Sequence, residues 1–232
     1  MLRSLLANVP YGTSARLLDA GCGDSGVAPF LRGEHIVGVD LKPLRTPSAN
    51  LTVRCADIRE LPFRDQTFPV VSCIDVLEHM SPTDRKLAIA ELVRVTERHL
   101  VIACPHGKRA REFDSQFLRA CQGTGDLPPS WVVEHQTYPY PDVSSIQNTL
   151  LACTAATGRA AKTSLLYSEP MAIAQIVRRA AIRSRLSYYA ANFFFGAVYP
   201  MIPAPDAETS YRIILVAEIH PANHHRSHAS LT

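Results

Sequence analysis

Four apolar runs in the N-terminal half of the chain each close on or beside an aspartate, and this repetition limits the fold more than any other feature. ARLLDA (15–20) holds Asp19, HIVGVD (35–40) ends on Asp40, LTVRCAD (51–57) on Asp57, and FPVVSCIDV (68–76) carries Asp75. FPVVSCIDV is nearly continuous in apolar residues, as a strand covered on both faces should be. HLVIACP (99–105) is a fifth run, stopped by proline and followed by His106. GVAPFLR (26–32) reads as a short helix. SPTDRKLAIAELVRVTE (81–97) places Leu87, Ile89, Ala90, Leu92 and Val93 at helical spacing, with Ser81 or Thr83 to cap it. Strands alternating with helices build a parallel sheet with right-handed crossovers, and ligands of such sheets bind beyond the carboxyl ends of the strands. Asp19, Asp40, Asp57, Asp75 and His106 are therefore predicted to lie along one edge.

At 232 residues, with 47% hydrophobic and 19% charged side chains, the chain has the size and composition of one substantial globular α/β domain with an appendage. A formal charge of +3 is too small to argue for nucleic-acid binding. None of the six cysteines forms a C-x-x-C pair, and Cys22, Cys73 and Cys104 sit in or beside apolar runs, so reduced core thiols and a reducing compartment are expected. MLRSLLANVPYG is too short and polar for a secretory signal, which points to the cytoplasm.

Beyond residue 106 the pattern loosens. A helix is predicted over 107–125, a loop over 127–142, a helix ending at Gly158 over 143–158, a strand over 160–168, a long helical segment over 170–194, a final strand over 209–220 and a frayed tail over 221–232. Residues 186–203 carry no charge and follow Arg178, Arg179, Arg183 and Arg185. Asn192, Gly196 and two prolines interrupt that stretch, so a buried or membrane-grazing element is expected rather than a span.

The turn after the first strand holds Gly21, Gly23 and Gly26 in the spacing G-x-G-x-x-G, which admits a dinucleotide. Asp19 stands at its mouth and would repel a pyrophosphate. One pair of unit charges at ~4 Å and an effective dielectric near 20 is worth on the order of 4 kcal/mol before solvation. A cationic ligand is favoured instead, and S-adenosylmethionine carries an ammonium and a sulfonium at that end.

LLDAGCG, then VGVD, then ADIRELPFRDQTFPVVSCIDVLEHM resemble the class I S-adenosylmethionine-dependent methyltransferases, over about residues 15–106. The usual D-x-G-x-G-x-G departs here, with Ser25 in place of the last glycine and Gly26 one place later. The resemblance implies an α/β fold, a Rossmann-like doubly wound seven-stranded sheet, mostly parallel with an antiparallel last strand. It implies a single domain over 1–232, with 1–106 the cofactor-binding half and 107–220 a substrate-side half with helical insertions. It also implies roles. Gly21, Cys22 and Gly23 let the cofactor approach the backbone, and Asp19 faces the methionine ammonium. Asp40 accepts from the ribose hydroxyls, with Leu41 beside it. Asp57 accepts from the adenine amino group, Ile58 donates its backbone N–H and covers the ring, and Asp75 lies near the methyl donor.

An alcohol or phenol acceptor needs a base. Asp75, Glu78 and His79 stand at i, i+3 and i+4, so a helical turn there would gather them on one face. His79 is the candidate base, with Glu78 and His135 as further catalytic candidates and Trp131, Tyr138, Tyr140 and Phe193–Phe195 as candidate pocket walls. The expected activity is methylation of a small molecule at oxygen, on a hydrophobic, glycan or secondary-metabolite acceptor, without a metal and with transient contact to a membrane or lipid-linked substrate. Three alternatives stay open. Asp75, Glu78, His79 and His135 resemble the metal-holding set of small-RNA 3′-terminal methyltransferases; a nicotinamide oxidoreductase would use the glycine turn for NAD; and a non-catalytic module could keep the fold.

Overall fold

A computed structural model describes residues 16–24, 26–42, 49–125, 127–198 and 201–221. Seven strands form one sheet: β1 (Leu17–Ala20), β2 (Ile36–Asp40), β3 (Leu51–Cys55), β4 (Phe68–Ile74), β5 (Thr96–Pro105), β6 (Arg159–Pro170) and β7 (Ser210–Pro221). Their order is β3-β2-β1-β4-β5-β7-β6. The pairs among β1 to β5 are parallel, and β7 inserts antiparallel between β5 and β6. The expected seven-stranded sheet with an antiparallel last strand is the observed one. Because β1 is bounded by β2 and β4, the chain reverses its direction of travel across the sheet there. A crevice opens beyond the strand tips at that point.

Six helices are described: α1 (Pro82–Val95), α2 (Gly107–Thr124), α3 (Ser130–Glu134), α4 (Val143–Ala156), α5 (Met171–Arg183) and α6 (Arg185–Val198). Ser81 caps α1, its hydroxyl accepting from the Asp84 N–H at 3.1 Å, and Asp142 caps α4 through the Ser145 N–H at 3.0 Å. The pleat sends adjacent residues to opposite faces. Leu18, Val71, Leu100 and Ile213 pack with Leu92 of α1 and Leu150 of α4, while Leu17, Ile36 and Val70 pack with Val27, Ala28 and Leu31. Burying each such leucine contributes about 1.5–3 kcal/mol.

Four expectations are corrected. GVAPFLR forms only a short 3-10 turn, Ala28–Phe30, with Pro29 in its first turn. The Asn50 side-chain amide holds this region by donating to the carbonyls of Ala28, Leu31 and Glu34 instead of leaving them to a continuing helix. The segment 127–142 contains α3. The long helical segment breaks at Ser184, whose extended backbone (φ −170°) separates α5 from α6. Pro221, assigned to the tail, closes β7, while residues 1–15, Ser25 and 222–232 lie outside the described residues. Cys22, Cys73 and Cys104 are buried as expected. No described helix is long and apolar enough to cross a membrane.

Candidate active site

The turn after β1 is built around Asp19. Its carboxylate is 2% exposed and accepts from the Val27 N–H at 2.9 Å and the Ser72 hydroxyl at 2.8 Å. Burial nevertheless holds its pKa above the ordinary carboxylate value, against those two hydrogen bonds. Gly26 has φ +48°, and a Cβ there would lie 1.9 Å from Asp19 Oδ2, so only glycine lets the loop close over the acid. At Gly21 a Cβ would strike Val76 at 2.2 Å. Gly23 faces open space, with nothing within 4 Å of an added Cβ. Asp19, Gly21, Cys22, Gly23, Gly26, Val27, Ile74 and Asp75 line a cavity of about 600 Å³. Burial raises the Cys22 thiol to about 11, with Asp19 and Asp40 adding to the effect, so it meets this cavity as a neutral group.

A second cavity, about 280 Å³, shares Gly21 and is lined by Asp40, Leu41, Ala56, Asp57, Ile58, Arg59, His79, Met80 and Tyr138. Asp40 Oδ2 accepts from the Gly23 N–H at 3.0 Å and Oδ1 from the Lys42 N–H at 3.0 Å, which ties the tip of β2 to the glycine turn. Asp57 is engaged by Arg59, which also bridges to Asp84 at 2.8 Å. The hydrogen bond from Arg59 holds the Asp57 carboxyl below its usual value. Ile58 is buried against this cavity and Leu41 is largely exposed at its rim.

The third cavity, about 680 Å³, is lined among others by Asp75, Glu78, His79, Trp131, His135 and Arg212. Asp75 lines both this cavity and the one at the glycine turn. Its backbone is left-handed (φ 57°), a conformation that costs a non-glycine residue of order 1 kcal/mol or more and clusters at functional sites. That bend ends β4 and starts the 3-10 turn Leu77–His79, which carries Glu78 and His79. Glu78 is fully buried, and neither carboxylate oxygen has a hydrogen-bond partner among the described residues. Burial, then the neighbouring Asp75 charge, pushes it up to about 8. His79 Nδ1 lies 3.2 Å from Glu134 Oε2, and burial followed by His135 lowers its pKa, which favours the neutral imidazole. His135 Nε2 is 3.9 Å from Glu78 Oε1, and the two imidazoles lie 4.7 Å apart between ring centroids. Ligating atoms of Glu78, His79 and His135 all fall within 4.8 Å of one another. Asp75, the expected fourth member of that set, instead pairs with Arg212 at 2.9 Å.

Other candidates go elsewhere. His106 is buried with Nε2 2.9 Å from the Ser210 hydroxyl, a link between β5 and β7. Tyr140 is buried in hydrogen bonds to Asp114 and His135 rather than facing a ligand. Phe195 lines the large cavity, whereas Phe193 and Phe194 are 83% and 59% exposed.

Sequence reasoning missed Asp114, Arg178, Tyr211 and Arg212. Asp114 is fully buried in α2 and collects His135 Nδ1 at 2.8 Å, the Tyr211 hydroxyl at 2.8 Å, the Tyr140 hydroxyl and Arg178. Burial opposes its charge, but the His135 hydrogen bond and the Arg178 guanidinium outweigh it and hold the carboxyl below its ordinary value. Arg178 in turn lies over the rings of Phe113 and Tyr211, 4.3 and 4.6 Å from their centroids. An acid at mid-helix in GKRAREFDSQFLRA between Phe113 and Phe117 was the available signal: it places a charge on an apolar helical face.

Comparison with known proteins gives three findings. The family profile described as "Methyltransferase domain" matches residues 18–104. A protein of Encephalitozoon cuniculi that bears the name of a methyltransferase is 30% identical over 160 residues, which cover 66% of this chain and 74% of that protein. Among solved structures, phosphoethanolamine N-methyltransferase 2 of Haemonchus contortus, in complex with S-adenosyl-L-methionine, superposes with a TM-score of 0.52 at 18% identity, covering 95% of this chain. The chain spans about half of that protein, 52% of its length. The [4+2]-cyclase SpnF superposes with a TM-score of 0.50 at 17% identity, over 93% of this chain and 79% of that one. The fold is thus shared by a protein named for another reaction, and the reaction must be argued from the site.

Proposed function

We infer that this chain, which belongs to the class I methyltransferase family, transfers the methyl group of S-adenosylmethionine to a hydroxyl of a small, partly apolar acceptor. The observation that carries this reading is the placement of Asp75. It is shared by the chamber at the glycine turn and the chamber that holds the acid–histidine cluster, so a donor and an acceptor would meet at the tip of β4. The donor side fits the cofactor: the open space at Gly23, the carboxylates of Asp40 and Asp57 and the apolar cover of Ile58 suit an adenosine, and among the described residues no basic side chain lines the cavity at the glycine turn, where a positively charged methionine group would sit. When bound, S-adenosylmethionine supplies a methyl carbon activated by its positive sulfur. The chain's own work is alignment, which can contribute several kcal/mol, and proton removal.

His79 suits the base. With its proton on Nδ1, the nitrogen that lies 3.2 Å from Glu134 Oε2, the ring would keep Nε2 as a proton acceptor, and its lowered pKa favours the neutral imidazole near pH 7. Across the cavity Asp114 takes Nδ1–H of His135, which directs Nε2 toward Glu78. With its pKa pushed up to about 8 by burial, Glu78 favours the protonated form near pH 7 and would offer the acceptor a hydrogen-bond donor beside His79 and His135. Apolar groups of Pro105, Ile173, Val177 and Phe195 complete that chamber and favour a hydrophobic acceptor.

Calorimetry with S-adenosylhomocysteine and with NAD, followed by an acceptor panel read by S-adenosylhomocysteine release, tests the reading. Tight NAD binding without S-adenosylhomocysteine binding would reverse it to an oxidoreductase, and cofactor binding without turnover on any acceptor would favour a non-catalytic module. A second reading is supported by the Glu78–His79–His135 spacing: these residues could hold a divalent cation that binds a diol such as a terminal ribose. Loss of activity in a chelator and its return with added metal would select that reading.

A further inference from the structure

We propose that α5 and α6 form a docking surface for an anionic lipid bilayer. The exposed residues of α6 include Leu186, Tyr189, Ala190, Phe193, Phe194 and Ala197. Their spacing is i, i+3, i+4, i+7, i+8 and i+11, a single apolar stripe running most of the helix, ~20 Å long. Such a stripe ordinarily faces a core. Here Leu186 is 80% and Phe193 83% exposed. Met201, just beyond the helix, is exposed as well.

The neighbouring helix supplies the charge. Between Pro170 and Pro205 the chain has four arginines and no acidic residue. Arg178 is turned inward to Asp114, while Arg179 and Arg183 are exposed one helical turn apart on α5. Ile176, Arg179, Ala180, Arg183 and Ser187 line a groove of about 530 Å³ that joins α5 to the start of α6. An apolar stripe beside a pair of cations matches the boundary between acyl chains and anionic headgroups. A second copy of the chain would bring its own arginines against these and is the poorer occupant. Since no described helix can span a bilayer, the contact is adsorption in the interface. Phe195, next to the stripe, lines the acceptor cavity, so an adsorbed molecule would open that cavity close to the lipid. This last consequence, an amphiphilic acceptor drawn from the membrane, rests on the function proposed above, whereas the docking itself does not.

Co-sedimentation of the full chain with vesicles of phosphatidylcholine alone, or with phosphatidylglycerol added, tests the docking. Binding to the anionic vesicles that weakens with salt is expected. The Arg179→Gln/Arg183→Gln variant should partition roughly thirtyfold more weakly, taking about 1 kcal/mol per arginine near an anionic surface. Phe193→Ser/Phe194→Ser should lose roughly tenfold or more. Circular dichroism and S-adenosylhomocysteine affinity of both variants should match the parent, which separates failed docking from failed cofactor binding. No binding to anionic vesicles, equal binding by the variants, or a salt-resistant dimer that Phe193→Ser/Phe194→Ser dissociates would overturn the proposal.

Discussion

Asp19 and Glu78 are both buried carboxyl groups, and the molecule treats them in opposite ways. Asp19, in the cofactor-side turn, accepts hydrogen bonds from Val27 and Ser72 and is sealed by Gly26. Glu78, in the acceptor-side cavity, is equally buried and has no hydrogen-bond partner among the described residues. A carboxyl with its donors in place braces a loop. One left without them costs stability and is retained where a ligand is to meet it. The glycine turn is thus braced by its own hydrogen bonds, whereas the cavity at Glu78 holds a buried carboxyl without them; on the function proposed above, the first is the donor side and the second the acceptor side.

Four substitutions probe that contrast. The largest effect is expected from His79→Ala, which should lower turnover by about 10²–10⁴-fold with a much smaller change in cofactor affinity, the latter because His79 also lines the cavity of Asp40 and Asp57; full activity would remove it as base. Asp19→Ala should destabilise by about 2 kcal/mol or more, because it strands the Val27 N–H and the Ser72 hydroxyl in a dry site, and thermal unfolding would read a fall of several degrees. Glu78→Gln should move stability the other way, and only at higher pH. The folded carboxyl titrates near 8 and the unfolded one at 4.5, so between those values the native state keeps a proton that the unfolded chain has released. Parent stability therefore falls as pH rises through that window, by up to about 1.4 kcal/mol per pH unit, and the neutral glutamine escapes the loss. Near pH 4 the two proteins should unfold alike. If Asp19→Ala and Glu78→Gln shift the melting temperature in the same direction at pH 8, the contrast is wrong. The smallest effect is expected from Asp40→Ala: roughly tenfold weaker S-adenosylhomocysteine binding by calorimetry, the equivalent of one charged hydrogen bond of ~1.5 kcal/mol.

The strands were legible because their signal is local. LLDA, IVGVD and FPVVSCI are continuous apolar runs that cannot be solvated, and their closing acids mark the edge at which a ligand would sit. Helices with a capping residue and a regular apolar period, such as α1, were legible for the same reason. Reading failed where distant contacts set the outcome. The turn at Ala28–Phe30 is held by Asn50, 22 residues on from Ala28, and His106 faces Ser210, 104 residues away. The stripe of α6 misled in another sense. Its lack of charge was visible, but an uncharged run cannot say which of its faces meets a core and which meets solvent, and Phe193 and Phe194, expected as pocket walls, are exposed.

What could be read from the order of residues alone was the parallel sheet, the acids at its strand tips and the glycine turn, because strand formation and backbone freedom depend on near neighbours. What needed the folded chain was the grouping of Asp114, His135, Tyr140, Arg178 and Tyr211, in which Asp114 and Tyr211 are 97 residues apart. The protonation of Glu78 belongs to the same class. A carboxyl's charge state follows from what surrounds it in three dimensions, and no local pattern in IDVLEHM carries that information.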